Sequence, residues 1–351
     1  MLLIYMDCGI LGASGIIGQQ FIAILNEHPK FKVTEMYASQ NSAGKSIEDI
    51  WSLPNTSVPN NLSDLKIKHI NNIDKNLDIL FSALPSQESK LIETKFANQG
   101  FKIFSNASGN RMEQNIPILI PEINHEHLEL LKYQNFDKNG FIITNSNCST
   151  AGLTLYLHEL RQLVNFDKVI VSTYQALSGA GKKGLEDKSK LGNVVPFIKN
   201  EEEKMKLETK KIMGKIRNNI IIPYDVEIEV STARVPVVDG HLLSITVIPT
   251  DPNEAKSIDI ESKLDKVITP FINDNLYFAP NKHLIVNKEE DRPQPKLDIN
   301  SGTPEGMPIS VGRIRNTGSF ISAFVLVHNT IRGGAGGSVL NAELSMSRGL
   351  L

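Results

Sequence analysis

Apolar positions cluster in short segments in the first half of the chain and alternate along longer ones in the second. Residues 8–11, 31–38, 78–85, 101–104 and 141–144 read as buried strands. Phe21, Ile22, Ile24 and Leu25 recur at helical spacing between the first two, and residues 86–97 form another helical pattern. Strands alternating with helices predict βαβ units and a parallel sheet. Beyond residue 148 the pattern changes. Leu153, Leu155, Tyr156, Leu157 and Leu160 continue a helix, and residues 168–175, 228–235, 241–249 and 319–328 alternate apolar with polar. That alternation predicts a mostly antiparallel sheet with one face on a helical layer. Residues 200–211 form a charged helix whose charges read as a solvated face laced by i,i+4 pairs. A last helix, residues 338–346, is expected to return to the first domain. The division read from this pattern is 1–147 plus 330–351 for one domain and 148–329 for the other.

Composition narrows the class. The chain has 351 residues, 40% hydrophobic and 22% charged, with a formal charge of −2. Such a chain can bury two cores, and nothing in its net charge draws it to nucleic acid or membrane. Two cysteines, Cys8 and Cys148, make no disulfide scaffold and point to a reducing, cytoplasmic setting. Residues 1–6 are apolar but lack a basic flank and run into a glycine turn, so they read as a strand and not a signal peptide. No run reaches the roughly 20 apolar residues of a membrane span.

Candidate chemistry gathers at the ends of strands. Gly12-Ala13-Ser14-Gly15-Ile16-Ile17-Gly18 lies between the first strand and a helix, where glycines let backbone approach a pyrophosphate at the helix N-terminus. The bland alternative is a tight turn. The second strand ends in Ser39, Gln40, Asn41 and Ser42, followed by Lys45, with no carboxylate for a ribose 2′-hydroxyl. Small hydroxyls there suit a 2′-phosphate and hence NADP, or a plain polar turn. This makes the first domain Rossmann-like. Ser82-Ala83-Leu84-Pro85 and the loop carrying Arg111 fall at the same sheet edge, where an arginine can clamp an anion or simply face solvent. Cys148 follows Asn147 where a strand becomes a helix, a position that favours a thiolate. Gln175, Arg234 and His241 complete the set. Arg234 and His241 stand seven residues apart, and a short hairpin between them would let both face one pocket. No metal site is expected.

Three stretches together carry a resemblance. Asn147-Cys148-Ser149-Thr150, the run from Tyr174 to Gly181, and Arg234-Val235-Pro236-Val237-Val238-Asp239-Gly240-His241 resemble aspartate-β-semialdehyde dehydrogenases, above all their archaeal and fungal branch. Asn329-Thr330-Ile331-Arg332-Gly333 and the glycine turn fit the same order. The resemblance implies NADPH-dependent reduction of aspartyl phosphate to aspartate semialdehyde, a step toward lysine, threonine and methionine. It makes Cys148 the nucleophile that forms an acyl-thioester, His241 the acid and base, and Gln175 the residue that orients the intermediate. Arg234 would grip the substrate carboxylate; Arg111, Asn147, Glu201 and Lys204 would form the phosphate and substrate pocket. Cofactor contacts would come from Gly12, Ser14, Gly15 and Ile16, from Ser39 and Ser42 at the 2′-phosphate, from Ser178 and Gly179, and from Asn329. The second domain would also serve dimerisation, giving a homodimer or homotetramer.

One departure is Asn41, where that branch often carries arginine. Asparagine cannot pair a 2′-phosphate bidentately, which leaves NAD open as a second cofactor. Two other functions compete: a malonyl-CoA reductase on the same fold, and a catalytically inactive cofactor-binding regulator. Glu201, Lys204 and Asn147 argue against the first. The intact Cys148, Gln175, Arg234 and His241 argue against the second.

Overall fold

The computed structural model describes residues 5–271 and 274–351. Of the expected first strand, residues 1–4 lie outside the described residues, and β1 runs Met6–Leu11. It is followed by α1 (Ile16–Leu25), β2 (Phe31–Ala38), β3 (Lys68–His69), β4 (Ile79–Ser82), α2 (Ser86–Ala97), β5 (Lys102–Ser105), α3 (Pro121–Asn124) and β6 (Phe141–Thr144). The strands form one sheet in the order β3-β2-β1-β4-β5-β6, and every neighbouring pair is parallel. β4 and β6 are buried along their whole length, because helices and loops cover both faces of the sheet. Strand order reverses between β1 and β4, so a crevice opens at the carboxyl ends there. The loops leaving Leu11, Ser82, Ser105 and Thr144 all emerge at that edge.

The second unit contains α4 (Cys148–Arg161), β7 (Phe166–Gln175), α5 (Gly181–Glu186), α6 (Glu201–Ile212) and a small hairpin of β8 (Lys215–Arg217) and β9 (Ile220–Ile222). β10 (Glu227–Arg234), β11 (His241–Pro249), α7 (Pro252–Lys256), α8 (Ile260–Leu264), β12 (Leu284–Asn287), α9 (Pro295–Asp298), β13 (Ile309–Asn316) and β14 (Ile321–Val327) follow. Its sheet runs β10-β7-β11-β14-β13-β12. The three central pairings are antiparallel, while β10 with β7 and β12 with β13 are parallel, so the sheet is mixed. Leu153 and Leu157 of α4 join Val169, Val171, Leu243, Ile245 and Val325 in the core beneath it.

Two expectations are corrected here. No hairpin joins Arg234 and His241, because β7 lies between β10 and β11; the two side chains nonetheless share the space beside Gly179. Residues 235–240 instead cross the end of β7, where Leu177 and Ser178 donate backbone N–H to Val237 and Val238. Arg234 therefore pairs in register with Gln175, and His241 opens the strand on the other side. The charged helix α6 is also less solvated than its composition implies: Glu201, Glu208 and Lys211 are buried.

The terminal helix α10 (Ala335–Ser347) packs against the first sheet. Its Val339, Leu340 and Leu344 share a core with Ile10, Phe21, Phe81 and Phe104. No helix among the described residues is long and apolar enough to cross a membrane.

Candidate active site

β6 is a four-residue strand of purely local logic: Phe141, Ile142 and Ile143 bury, and the chain then turns through Asn145 and Ser146 into α4. Asn147 caps that helix. Its Oδ1 accepts the backbone N–H of Ser149 (2.9 Å) and Thr150 (3.1 Å). Cys148 is thus the first helical residue, half-buried. Gly333 holds it from behind: a Cβ there would stand 2.7 Å from the Cys148 Cα and 2.8 Å from its Cβ, so only glycine allows this approach. Arg332, the residue before it, is locked to Glu122 by a buried bidentate ion pair at 2.8 and 2.6 Å. Burial opposes the Glu122 charge, but Arg332 overcomes it and keeps the carboxyl below its ordinary range.

A cleft of about 720 Å³ opens in front of Cys148. Arg111, Asn147, Gln175, Glu201, Lys204 and Arg234 line it, together with Gly15, Ile16, Ser178, Gly179 and Asn329. Gly12 and Ser14 belong to the same turn but do not face the cleft, and Ser39 and Ser42 stand at the tip of β2, away from its walls. Their turn is compact, with the N–H of Ser42 and Ala43 both donated to the Ser39 carbonyl. His241 lies fully buried behind Gly179, whose absent Cβ would meet the Arg234 Nη1 at 2.6 Å and the His241 Nε2 at 3.0 Å.

Several of these side chains are already committed. Glu201 Oε1 accepts from Asn147 Nδ2 (2.8 Å) and Gln175 Nε2 (3.1 Å). Arg234 Nη1 donates to the Ala176 carbonyl at 2.7 Å. Asn329 donates to Ser178 Oγ and accepts from the Gly240 N–H, both at 2.8 Å. The Ala176 N–H donates to His241 Nδ1 at 3.1 Å, so the single proton of the neutral ring sits on Nε2. That Nε2 is buried without a protein partner. Burial, the nearby Arg234 and His328 push the His241 pKa down to about 3. The expected imidazole ready to receive a thiol proton is therefore a neutral donor instead.

The Cys148 thiol also departs from expectation. Burial and then the Glu201 charge push its pKa up to about 12, against the pull of Arg234 and Arg111. In the free protein the helix N-terminus does not win: the Ser149 N–H pulls the thiol pKa down, but burial outweighs it. Replacing Glu201 by glutamine removes an anion from beside the sulfur. The expected result is a downward shift of about one unit in the pH profile of Cys148 alkylation by iodoacetamide. An unmoved profile would show that Glu201 does not set the thiol.

Two buried groups on α6 escaped the sequence reading. Glu208 accepts from Arg111 Nη1 (3.0 Å) and from the Asn147 N–H (2.6 Å). Lys211 donates to the carbonyls of Arg111, Glu113 and Ile116 at 2.6 to 2.8 Å. A signal existed: Glu201, Lys204, Glu208 and Lys211 recur at intervals of three and four, which places them on one face of the helix.

A dinucleotide fits the glycine turn. α1 begins after Gly15 with no side-chain cap, so its first N–H groups are left for a pyrophosphate. Among the described residues no group of three or more His, Cys, Asp or Glu could hold a metal.

Comparison with known proteins gives a consistent result. Residues 7–131 match the family described as semialdehyde dehydrogenase, NAD binding domain, and residues 157–332 the semialdehyde dehydrogenase dimerisation domain. The chain is 40% identical to an aspartate-semialdehyde dehydrogenase of Methanothermobacter thermautotrophicus, over 97% of this chain and 98% of the relative. It is 41% identical to that of Archaeoglobus fulgidus, with 98% of each covered. The Candida albicans aspartate semialdehyde dehydrogenase, crystallised with NADP, aligns at a TM-score of 0.87 and 31% identity, covering 99% of this chain and 100% of that one.

Proposed function

The chain belongs to the aspartate-semialdehyde dehydrogenase family, and from that membership we propose that its cleft reduces aspartyl phosphate to aspartate semialdehyde, releasing phosphate, in amino-acid biosynthesis. The observation that carries this reading is one cavity in which a cysteine, an orienting glutamine, two arginines, a lysine and a glutamate share walls with a glycine turn.

The chain's own residues divide the work. Arg234 takes the substrate carboxylate, Glu201 its ammonium, and Arg111 with Lys204 the phosphate. Asn147 enters as the cap that fixes the start of α4. The ammonium neutralises Glu201, the charge that together with burial holds the Cys148 thiol protonated, so substrate itself helps ionise the sulfur. The sulfur then attacks the acyl carbon. The acyl–oxygen bond breaks, and the thiol proton leaves with the departing phosphate. Gln175 orients the thioester. His241 Nε2–H holds the thioester oxygen by a hydrogen bond where negative charge gathers on reduction; collapse of that oxyanion to the aldehyde expels the sulfur as thiolate, which takes a proton from solvent to restore the thiol. NADP(H), when bound, supplies the hydride. Gly12, Ser14, Gly15 and Ile16 would hold its pyrophosphate, Ser39 and Ser42 its 2′-phosphate, and Ser178, Gly179 and Asn329 its nicotinamide end.

The nucleotide-binding part comprises residues 1–147 and 330–351, and the catalytic part 148–329. A second copy is assigned to the outer face of the second sheet, where Ile170, Tyr174 and Phe320 are 49%, 38% and 51% exposed. This makes a homodimer, or a homotetramer by one further pairing, working in the cytoplasm.

Purified protein is expected to reduce NADP when given aspartate semialdehyde and phosphate, and to leave malonyl-CoA untouched with NADPH. Turnover of malonyl-CoA alone would replace this reading with the thioester-reductase one. In the same assay kcat/KM should favour NADP over NAD; parity would mean that Asn41 has opened the site to both.

A further inference from the structure

Glu208 is not itself among the residues lining the cleft, yet it is bonded to two that are, Arg111 and Asn147. Its carboxylate is 2% exposed. One oxygen takes Arg111 Nη1 at 3.0 Å, and the other takes the Asn147 N–H at 2.6 Å, one residue before the thiol. Arg111 Nη2 is meanwhile bound to the Asn106 carbonyl at 2.8 Å, and its Nε is buried with no partner in the protein. Lys211, one turn further along α6, secures the same loop by its backbone. The guanidinium is thus held from behind by two acceptors while an unsatisfied N–H remains. A buried N–H with no acceptor is costly unless a ligand supplies one.

We propose that Glu208 is the positioning residue that sets Arg111 for the phosphate group and, through the Asn147 N–H, ties that setting to the start of the Cys148 helix. This rests on the reading of Arg111 as a phosphate ligand. Two opposite effects are available to a carboxylate in this place. As a mere counter-charge it would weaken anion binding, so its removal would tighten phosphate. As a positioning group it fixes the fork, so its removal loosens phosphate. The sign of the change therefore separates them.

Glu208→Gln keeps the volume but offers one oxygen where two donors now find one each. In semialdehyde oxidation the variant is expected to raise the KM for inorganic phosphate about tenfold, the usual scale for a lost charge-assisted hydrogen bond. In an Arg111→Gln background the same change should move that KM less than about twofold, since non-additivity marks residues acting through one another. Glu208→Gln is also expected to lower kcat, through the loosened Asn147 N–H at the start of the Cys148 helix, and that loss should persist in both backgrounds. Should Arg111→Gln not fold, Arg111→Lys supplies the second background, keeping the charge and losing the fork. If the wild type does not oxidise the semialdehyde, the functional reading fails by itself. The coupling is then read as phosphate protection of Cys148 from iodoacetamide in the same four proteins. A lowered phosphate KM, or equal effects in both backgrounds, overturns the proposal, as does a change confined to the melting temperature.

Discussion

Cys148→Ala is expected to lower turnover by about four orders of magnitude or more, the scale on which removal of a covalent nucleophile acts. NADPH affinity and the unfolding midpoint should stay close to those of the parent. The reason lies in how the cysteine is held. Asn147 caps α4, and Gly333 and the Arg332–Glu122 pair back it, and none of these contacts uses the sulfur. Alanine keeps the backbone and helix propensity and removes only the attacking atom. Stopped-flow binding of NADPH by fluorescence, beside steady-state turnover, checks the split. Activity within a factor of ten of wild type would remove the thioester step. Lost cofactor binding would show that the sulfur belongs to the cofactor site and not to chemistry.

The second large effect is expected at His241. His241→Gln should reduce kcat by roughly two to four orders of magnitude, the range for a lost proton donor at a developing oxyanion. The rate of Cys148 alkylation should be unchanged within about twofold, a deviation too small to count as loss of a general base. That contrast follows from the Ala176 N–H on Nδ1, which occupies the lone pair of that nitrogen and leaves the ring proton on Nε2, so the ring has no free lone pair with which to take a proton. If alkylation and turnover fall together, His241 is the base that activates the sulfur. The pH dependence has a defined sign. The His241 pKa is pushed down to about 3, and that of the neighbouring His328 to about 4. The unfolded chain, with ordinary histidines, binds more protons than the folded one between about pH 6.5 and those values. Both histidines therefore cost stability as the pH falls through that window, and His241→Gln should flatten part of the slope in an acid-melting series.

Much of the fold could be read from local pattern. The strands at residues 101–104 and 141–144 and the helix at 86–97 appear within a residue of their expected bounds, because apolar periodicity and turn residues act over short stretches. The cleft was legible for a related reason: in a parallel sheet every βα loop emerges at the same edge, so residues 12–18, 83–86, 106–111 and 145–148 are brought together by topology. The hairpin between Arg234 and His241 was misread because a six-residue link looks identical whether it turns back or crosses over a strand. Only the position of β7 decides. On α6 the periodicity that would have exposed Glu208 and Lys211 was present, but an all-charged helix face carries no sign of burial until a partner such as Arg111 is known.

Without reaching β12 and β13, the sequence by itself determined the main strands and helices of the first domain, four of the six strands of the second sheet, and a cysteine at the start of a helix. These follow from propensity, periodicity and capping, which depend on neighbours along the chain. The tertiary structure alone decided the protonation states. A thiol pushed up to about 12 and a histidine pushed down to about 3 are set by burial, by Glu201 and by Arg234. Those partners stand 53 and 7 residues away in sequence, and they act because desolvation and Coulomb terms fall with distance in space, not along the chain.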